Sequence, residues 1–159
     1  MSADAYNKPY VKKAVLEDIL LLRHSLRAED VDEVKARDMT PEQGLCASFA
    51  ESTVAYTVFN KDSYPIAMFG LTPTALKDVG CPWMLCGKEF NKVGKSCLRR
   101  CMSYIKEMYA SHAVLTNLVD VRNYKAIRWL RWCGFEITGA HTLVGQDKIP
   151  FVTFIGRRQ

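Results

Sequence analysis

The sequence predicts a mixed α/β fold, in which one twisted, mixed sheet of about six or seven strands carries about four helices on its two faces. Strand-like and helical segments alternate in the second half of the chain, which favours parallel pairing there. Two consecutive strand-like runs in the middle indicate an antiparallel hairpin. With 159 residues, of which 48% are apolar, the chain has the size and composition of one globular domain spanning residues 1–159.

The first half is predicted to hold two helices and three strands. In chain order these are a strand at 10–15, a helix at 16–26, an acidic polar stretch at 27–38, a helix from Thr40 to about Ser52, a strand at 53–59, a turn at 60–63 and a strand at 64–71. The second helix has a clear start, because Thr40 is a good N-cap and Pro41 fits the first helical turn.

The second half completes the order β-α-α-β-β-β-α-β-α-β-β. It contains a strand at 81–86, a helix from about 94 to 109, a strand at 112–120, a helix at 123–132, and strands that begin at 135 and 149. The long helix is amphipathic, since its apolar residues at 97, 98, 101, 102, 105 and 108 share one face.

The charge of the chain is unevenly distributed. Residues 1–80 hold nine Lys/Arg against twelve Asp/Glu, and residues 81–159 hold thirteen against five. The basic half could bind nucleic acid or a smaller polyanion such as a phosphorylated cofactor. No apolar run reaches the roughly 18 residues that span a bilayer, and the first residues lack an apolar segment of the signal-peptide type. We therefore expect no membrane partner and a cytoplasmic protein, or one carried with an assembly.

The six cysteines, at 46, 81, 86, 97, 101 and 133, show no spacing typical of a metal site. We expect reduced thiols that act as small core residues, and we predict no metal. A zinc site and a reactive thiol are the two alternatives.

Residues 122–136 combine arginines and tryptophans, which raises the question of a basic helix that reads nucleic acid. Asn123 is a plausible N-cap and Gly134 a plausible left-handed C-terminal cap, so the helix has a start, a stop and one apolar face. Few polar base-reading side chains accompany the arginines. We therefore expect them to form a solvated face and expect no nucleic-acid partner.

The spacing Asn123-x-x-Ala126-x-x-x-Leu130-x-x-x-Gly134-Phe135 resembles the C-terminal motif of the GNAT superfamily, the acetyl-CoA-dependent N-acetyltransferases. The order of elements predicted above also matches that family. The resemblance implies the GNAT fold, acetyl-CoA as cosubstrate and an amine acceptor. It also implies that the strand containing Met84, Leu85 and Cys86 contacts the coenzyme through its backbone, and that Asn123 lies at the coenzyme site.

A second, degenerate match lies ahead of the long helix. The family carries Gln/Arg-x-x-Gly-x-Gly/Ala there, and this chain has Asn91, Lys92, Val93, Gly94, Lys95 and Ser96. A small residue at a helix N-terminus lets backbone amides approach a diphosphate closely. The resemblance therefore implies a phosphate-binding bend over 91–96.

A narrower resemblance is carried by segments near 26–33, 67–70, 83–85, 118–123 and 128–135. These are similar to GNAT-like proteins of short-tailed bacteriophages, a group that includes a small internal virion or virion-assembly protein. This resemblance implies a protein made in the host cytoplasm and a possible association with the virion.

The catalytic residues are less clearly indicated. Many family members carry a tyrosine acid seven residues after the asparagine, where this chain has Leu130. Tyr124, on the same helix, carries a hydroxyl group and is the candidate acid. Glu89 and Glu33 are candidate bases, and Asp30 and His112 are further candidates for the base. The resemblance therefore implies an N-acetyltransferase. It does not identify the acceptor, for which an amine of a host protein is one candidate. The alternatives are a catalytically weak or inactive virion or assembly protein, and a nucleic-acid-binding module.

Overall fold

The computed structural model describes residues 8–159, and of residues 94–96 only that they are helical. In chain order the elements are β1 (Tyr10–Lys13), α1 (Leu16–Leu22), α2 (Ala28–Ala36), α3 (Pro41–Glu51), β2 (Val54–Phe59), β3 (Pro65–Pro73), β4 (Val79–Cys86), α4 (Phe90–Ser111), β5 (Val114–Asp120), α5 (Tyr124–Trp132), β6 (Glu136–Val144) and β7 (Ile149–Arg157). The predicted order is confirmed, with α2 as an additional helix. Among the described residues, no helix is both long and apolar enough to cross a bilayer.

All seven strands lie in one sheet, in the order β1-β2-β3-β4-β5-β7-β6. β4 and β5 are parallel, and every other neighbouring pair is antiparallel. The parallel pair is joined at only two positions, Val79 with Val114 and Gly80 with Leu115. The mixed sheet is therefore confirmed, and its two central parallel strands separate over most of their length.

Helices pack on both faces of the sheet, and each face has its own apolar cluster. On one face, α1, α2 and α3 bury Ile19, Leu22, Val34 and Leu45 against Met68 and Leu85 of β3 and β4. On the other face, α4 and α5 bury Cys97, Ile105, Met108 and Leu130 against Ala67, Phe69 and Leu115. Successive strand residues supply the two clusters alternately, as the pleat of a strand requires.

The helix ends follow the predicted caps. The Thr40 hydroxyl accepts from the Gln43 amide, and the Gln43 side chain accepts from the Thr40 amide, which is a capping box. At the other end of the chain, Gly134 has φ +94° and Phe135 donates its amide to the Leu130 carbonyl at 3.0 Å. This pattern is a Schellman cap, in which glycine allows the left-handed backbone.

Two predicted helix bounds are wrong. α1 ends at Leu22 rather than 26, because residues 23–25 turn and Leu26 forms a bridge to Gly87 after β4. α4 begins at Phe90 rather than 94, because Glu89 already has helical dihedral angles (φ −72°, ψ −17°). Residues 91–96 therefore form the first turns of the helix instead of a bend before it.

Candidate active site

Beyond the two paired positions, β4 turns the backbone of its even-numbered residues toward β5. The carbonyls of Asp78 and Cys86 accept hydrogen bonds from groups outside β3, whereas the amide of Gly87 donates to β3. Along a strand, the N–H and C=O groups of successive residues point alternately to the two neighbouring strands. Met84 therefore presents its N–H and C=O to the gap between β4 and β5.

Pro82 lies in the middle of β4, where a central strand does not usually tolerate proline. Its nitrogen, which carries no hydrogen, faces the gap, so no hydrogen bond of the sheet is lost. The Pro82 carbonyl accepts from Nδ2 of Asn117 on β5 at 2.9 Å. This side-chain bridge replaces backbone pairing at the point where the two strands begin to separate.

A cavity of about 420 Å³ occupies the gap. Its walls include Glu33, Arg37, Met39 and Trp83 on the α1–α3 side of the sheet, and Leu98, Cys101, Ala126, Trp129 and Leu130 on the α4–α5 side. The cavity therefore passes through the sheet. Its volume lies in the range of roughly 300–1,000 Å³ that is usual for small-molecule sites.

Trp129, a residue of the cavity wall, carries a buried donor that is not used by the described residues. Its Nε1 atom is buried and has no hydrogen-bond partner within the part of the chain that the structure describes. Leaving a buried donor unsatisfied costs about 1–3 kcal/mol.

Helix α2 crosses the open end of the gap. Its N-cap residue, Arg27, donates its amide to the Cys86 carbonyl at the end of β4, at 2.9 Å. Glu33, further along the helix, accepts from the Asp120 amide at the end of β5, at 3.2 Å. The helix therefore connects the ends of the two separated strands.

Glu33 is the carboxylate placed best for proton transfer. Its Oε1 atom also accepts from Nδ2 of Asn123 at 3.2 Å. Burial raises the pKa of Glu33 to about 7, although the bonds from Asn123 and the Asp120 amide favour the charged form. A pKa near neutrality suits a general base that works at physiological pH.

The neighbouring carboxylate, Asp30, is already neutralised. It is buried and accepts from Nε of Arg27 at 2.7 Å. Burial raises the pKa of Asp30, and the Arg27 guanidinium opposes that rise. Nη1 of Arg27 also donates to Oδ1 of Asn91 at 3.3 Å, which connects α2 with the first turn of α4.

Some of the coenzyme-contacting residues predicted from sequence line the cavity. Those in its wall are Met84, Leu85, Cys86, Asn91 and Asn123. Lys92 is exposed, and Val93 packs against the apolar cluster under α4. Of Gly94, Lys95 and Ser96, the structure describes only the helical backbone. The Lys92 amide donates to the Glu89 carbonyl at 2.9 Å, so the helix itself already uses this amide.

Only one of the three predicted catalytic residues lies in the cavity wall, namely Glu33. Glu89 is exposed and accepts from Asn60 at 3.0 Å, because the early start of α4 places it on the outer side of the turn. Tyr124 is 77% exposed at the first residue of α5. Leu130 is buried in the wall, so the position of the expected acid carries no hydroxyl group.

Neither cysteine of the cavity wall, Cys86 or Cys101, is an activated nucleophile, because the pKa of each thiol is raised. Residues 8–159 contain no group of three or more His, Cys, Asp or Glu arranged to hold a metal, as far as their side chains are described. All six cysteines are free thiols. Burial raises the pKa of the Cys86 thiol strongly, which keeps it protonated.

No protein-family model matches the sequence, and no curated protein matches it significantly. Solved structures match over nearly the whole chain. A GNAT-superfamily phosphinothricin acetyltransferase from Sinorhizobium meliloti, in complex with acetyl-CoA, has a TM-score of 0.72 at 12% identity, covering 94% of this chain and 88% of the other. A GNAT-family acetyltransferase from Streptococcus pneumoniae has a TM-score of 0.64 at 17% identity, covering 96% and 100%.

A third match is AAC(6')-Ib in complex with ribostamycin and coenzyme A, with a TM-score of 0.68 at 16% identity, covering 96% of this chain and 95% of the other. Identities this low show a shared fold and carry no statement about activity. The chain therefore has the fold of the GNAT acetyltransferases, as its sequence predicts.

Proposed function

We propose that the protein transfers an acetyl group from acetyl-CoA to an amine. The observation that carries this proposal is the cavity that passes through the sheet between β4 and β5. A thioester that enters from one face and an amine that enters from the other would meet there. Two structural neighbours contain acetyl-CoA or coenzyme A, which supports the same use of the fold.

The residues around the gap fit the coenzyme. Its arm carries secondary amides, and the N–H of one of them can donate to the Met84 carbonyl, which leaves the Met84 N–H free for the thioester. The exposed Lys88 and Lys92 supply positive charge near the turn between β4 and α4. We place the phosphates at that turn and at the first turn of α4, where the helix dipole favours anions.

The chemistry assigns a separate role to each group. The coenzyme supplies an activated acetyl thioester. Glu33 accepts the proton of the attacking amine, and the Met84 N–H donates to the carbonyl oxygen as negative charge develops there. A C–N bond forms and the C–S bond breaks. Because a thiol has a pKa of about 8.5, the thiolate can leave without a proton donor, which is consistent with Leu130.

The second candidate function is that of a catalytically weak or inactive GNAT-fold component of a bacteriophage virion or of its assembly. Leu130, in place of an acid, favours it. The narrower sequence resemblance is its other support. Under this alternative the protein is made in the host cytoplasm and is recovered in purified particles.

Isotopically labelled acetyl-CoA and a panel of amines test the proposal. We expect amine-dependent release of thiol by the wild-type protein, and at least a hundredfold lower rate in Glu33→Gln, because a positioned base contributes about 10²–10⁴. Glu29→Gln is the matched control, since Glu29 lies on the same helix as Glu33 but does not line the cavity. Absence of labelled product with every amine would overturn the proposal.

A further inference from the structure

Arg37 is a cation in the cavity wall that the proposed chemistry does not use. It is the C-cap residue of α2, and its guanidinium lies 5.2 Å from the centre of the Phe151 ring. It forms no ion pair with a carboxylate in the described part of the chain. A guanidinium has five N–H donors in a planar fork that matches a carboxylate. Arg37 is therefore available to an anionic group in the cavity.

Glu33 and Arg37 are four residues apart on α2, and both line the cavity. Side chains at this spacing have Cβ atoms about 5–6 Å apart and commonly form an ion pair. Here Glu33 is held by Asn123 and the Asp120 amide, whereas Arg37 lies over Phe151. The helix therefore presents a carboxyl group and a guanidinium side by side without a salt bridge, and the Arg37 charge favours the ionised form of Glu33.

The other charged residues of the wall are paired. Arg27 binds Asp30 at 2.7 Å, and Lys125 lies 3.9 Å from Glu29. Glu33 and Arg37 are thus the two charges of the wall that no ion pair among the described residues neutralises. A polyamine would need several free carboxylates, so this arrangement does not suit one.

The wall between α2 and the sheet is otherwise largely apolar. It includes Val34, Met39, Trp83 and Leu118. The Trp83 ring is held in place by the hydrogen bond from its Nε1 atom to the Ser52 hydroxyl, at 2.7 Å. A bulky apolar group would find a fixed aromatic surface next to the two charges.

We infer that the acceptor is an α-amino acid with an apolar side chain, whose carboxylate binds Arg37, whose amine lies at Glu33 and whose side chain packs on Met39 and Trp83. The inference rests on the proposed acetyl transfer and names its substrate class. In the reaction the amine nitrogen forms the new C–N bond, its proton passes to Glu33, and the C–S bond of the thioester breaks. The product is an N-acetyl amino acid.

A binding experiment tests the pocket independently of turnover. N-acetyl-L-phenylalanine and N-acetylphenethylamine differ only in the carboxylate, and each is titrated calorimetrically into the wild-type protein. We expect the carboxylate-bearing probe to bind at least tenfold more tightly, as a charge-assisted hydrogen bond allows. Arg37→Gln should remove this preference, Arg37→Lys should retain part of it, and the exposed-site control Arg128→Gln should keep all of it. Equal affinity of the two probes for the wild type would overturn the inference.

Acetyl transfer to phenylalanine, phenethylamine and spermidine then separates this inference from the proposed function. We expect the highest kcat/KM for phenylalanine, and a raised KM for phenylalanine alone in Arg37→Gln. Preference for spermidine or phenethylamine would overturn the substrate class and leave the transferase proposal standing. Carboxylate-dependent binding without transfer to any of the three would support the pocket and contradict the transferase proposal.

Discussion

Nδ2 of Asn123 donates a hydrogen bond to Oε1 of Glu33 at 3.2 Å, across 90 positions of sequence. The same amide caps α5, because its Oδ1 atom accepts from the Ala126 amide at 3.2 Å. Asn123 is 4% exposed, so the bond to Glu33 lies largely out of reach of water. The orientation of the candidate base thus depends on where α5 begins.

The raised pKa of Glu33 predicts a pH-dependent effect on stability. A carboxyl whose folded pKa is about 7, against about 4.3 unfolded, binds its proton more tightly in the folded state. Its contribution to folding is complete below pH 4 and is lost as the pH rises through 7. Glu33→Gln keeps the acceptor oxygen without the charge. We expect the variant to be more stable than wild type at pH 8, by on the order of 2 kcal/mol, and similar at pH 4.5. Thermal unfolding at both pH values measures this, and equal differences at both would contradict it.

Two substitutions separate the two roles of Asn123. Serine caps helices about as well as asparagine but is too short to reach Glu33. Because the bond from Asn123 lowers the pKa of Glu33, its loss should move the pH midpoint of activity above 7 in both Asn123→Ser and Asn123→Ala.

The helix cap is lost only in the alanine variant, at a cost of about 1 kcal/mol or about 2–4 °C in Tm. A pH–rate profile of each variant gives the pH midpoint of activity, and a melting curve gives its Tm. An unchanged midpoint in both variants would rule out Glu33 as the group that titrates.

Gly70 on β3 is predicted to tolerate no side chain. A Cβ atom there would lie 2.6 Å from the Val54 carbonyl oxygen and 3.0 Å from Nε1 of Trp83. Gly70→Ala should therefore cost about 1–3 kcal/mol through overpacking and disturb the Trp83 ring. Gly139→Ala on β6 is the control, because nothing lies within 4 Å of its Cβ position. Chemical denaturation of the two variants should show a loss of stability for Gly70→Ala only.

Replacing Trp129 by phenylalanine should affect binding and stability differently. The change removes a buried donor that lacks a partner, so the ligand-free protein should lose less than about 1 kcal/mol despite the smaller ring. Affinity for coenzyme A should fall about threefold, since the smaller ring loses part of the apolar surface that Trp129 offers to the cavity. Trp132→Phe, at a position 57% exposed, should change neither quantity. A large loss of stability with unchanged affinity would show that Trp129 only fills space.

Local signals predicted three helix ends that carry a cap. Thr40, Asn123 and Gly134 act through contacts within five residues along the chain, which a sequence displays directly. Helix α2 was not predicted, because Val34 and Ala36 are its only buried apolar residues and its apolar stripe is therefore weak. A short helix of this kind becomes recognisable through what it packs against.

Less of the site than of the fold could be predicted from the sequence. The resemblance implied that the strand of Met84 contacts the coenzyme. Pro82 in a central strand is a local signal that one side of β4 lacks a partner. Arg37 and Trp129 acquire their significance from distant groups, namely Phe151 and the cavity. Such long-range relationships have no signature in the spacing of one sequence.

Calorimetric titration of coenzyme A into the wild-type protein tests the central claim, that the gap between β4 and β5 receives the arm of the coenzyme. We predict saturable binding of one molecule per chain with a Kd of roughly 1 µM to 1 mM, the usual range for an enzyme and its substrate. No heat of binding at millimolar coenzyme A would contradict the claim and leave the protein with the fold alone.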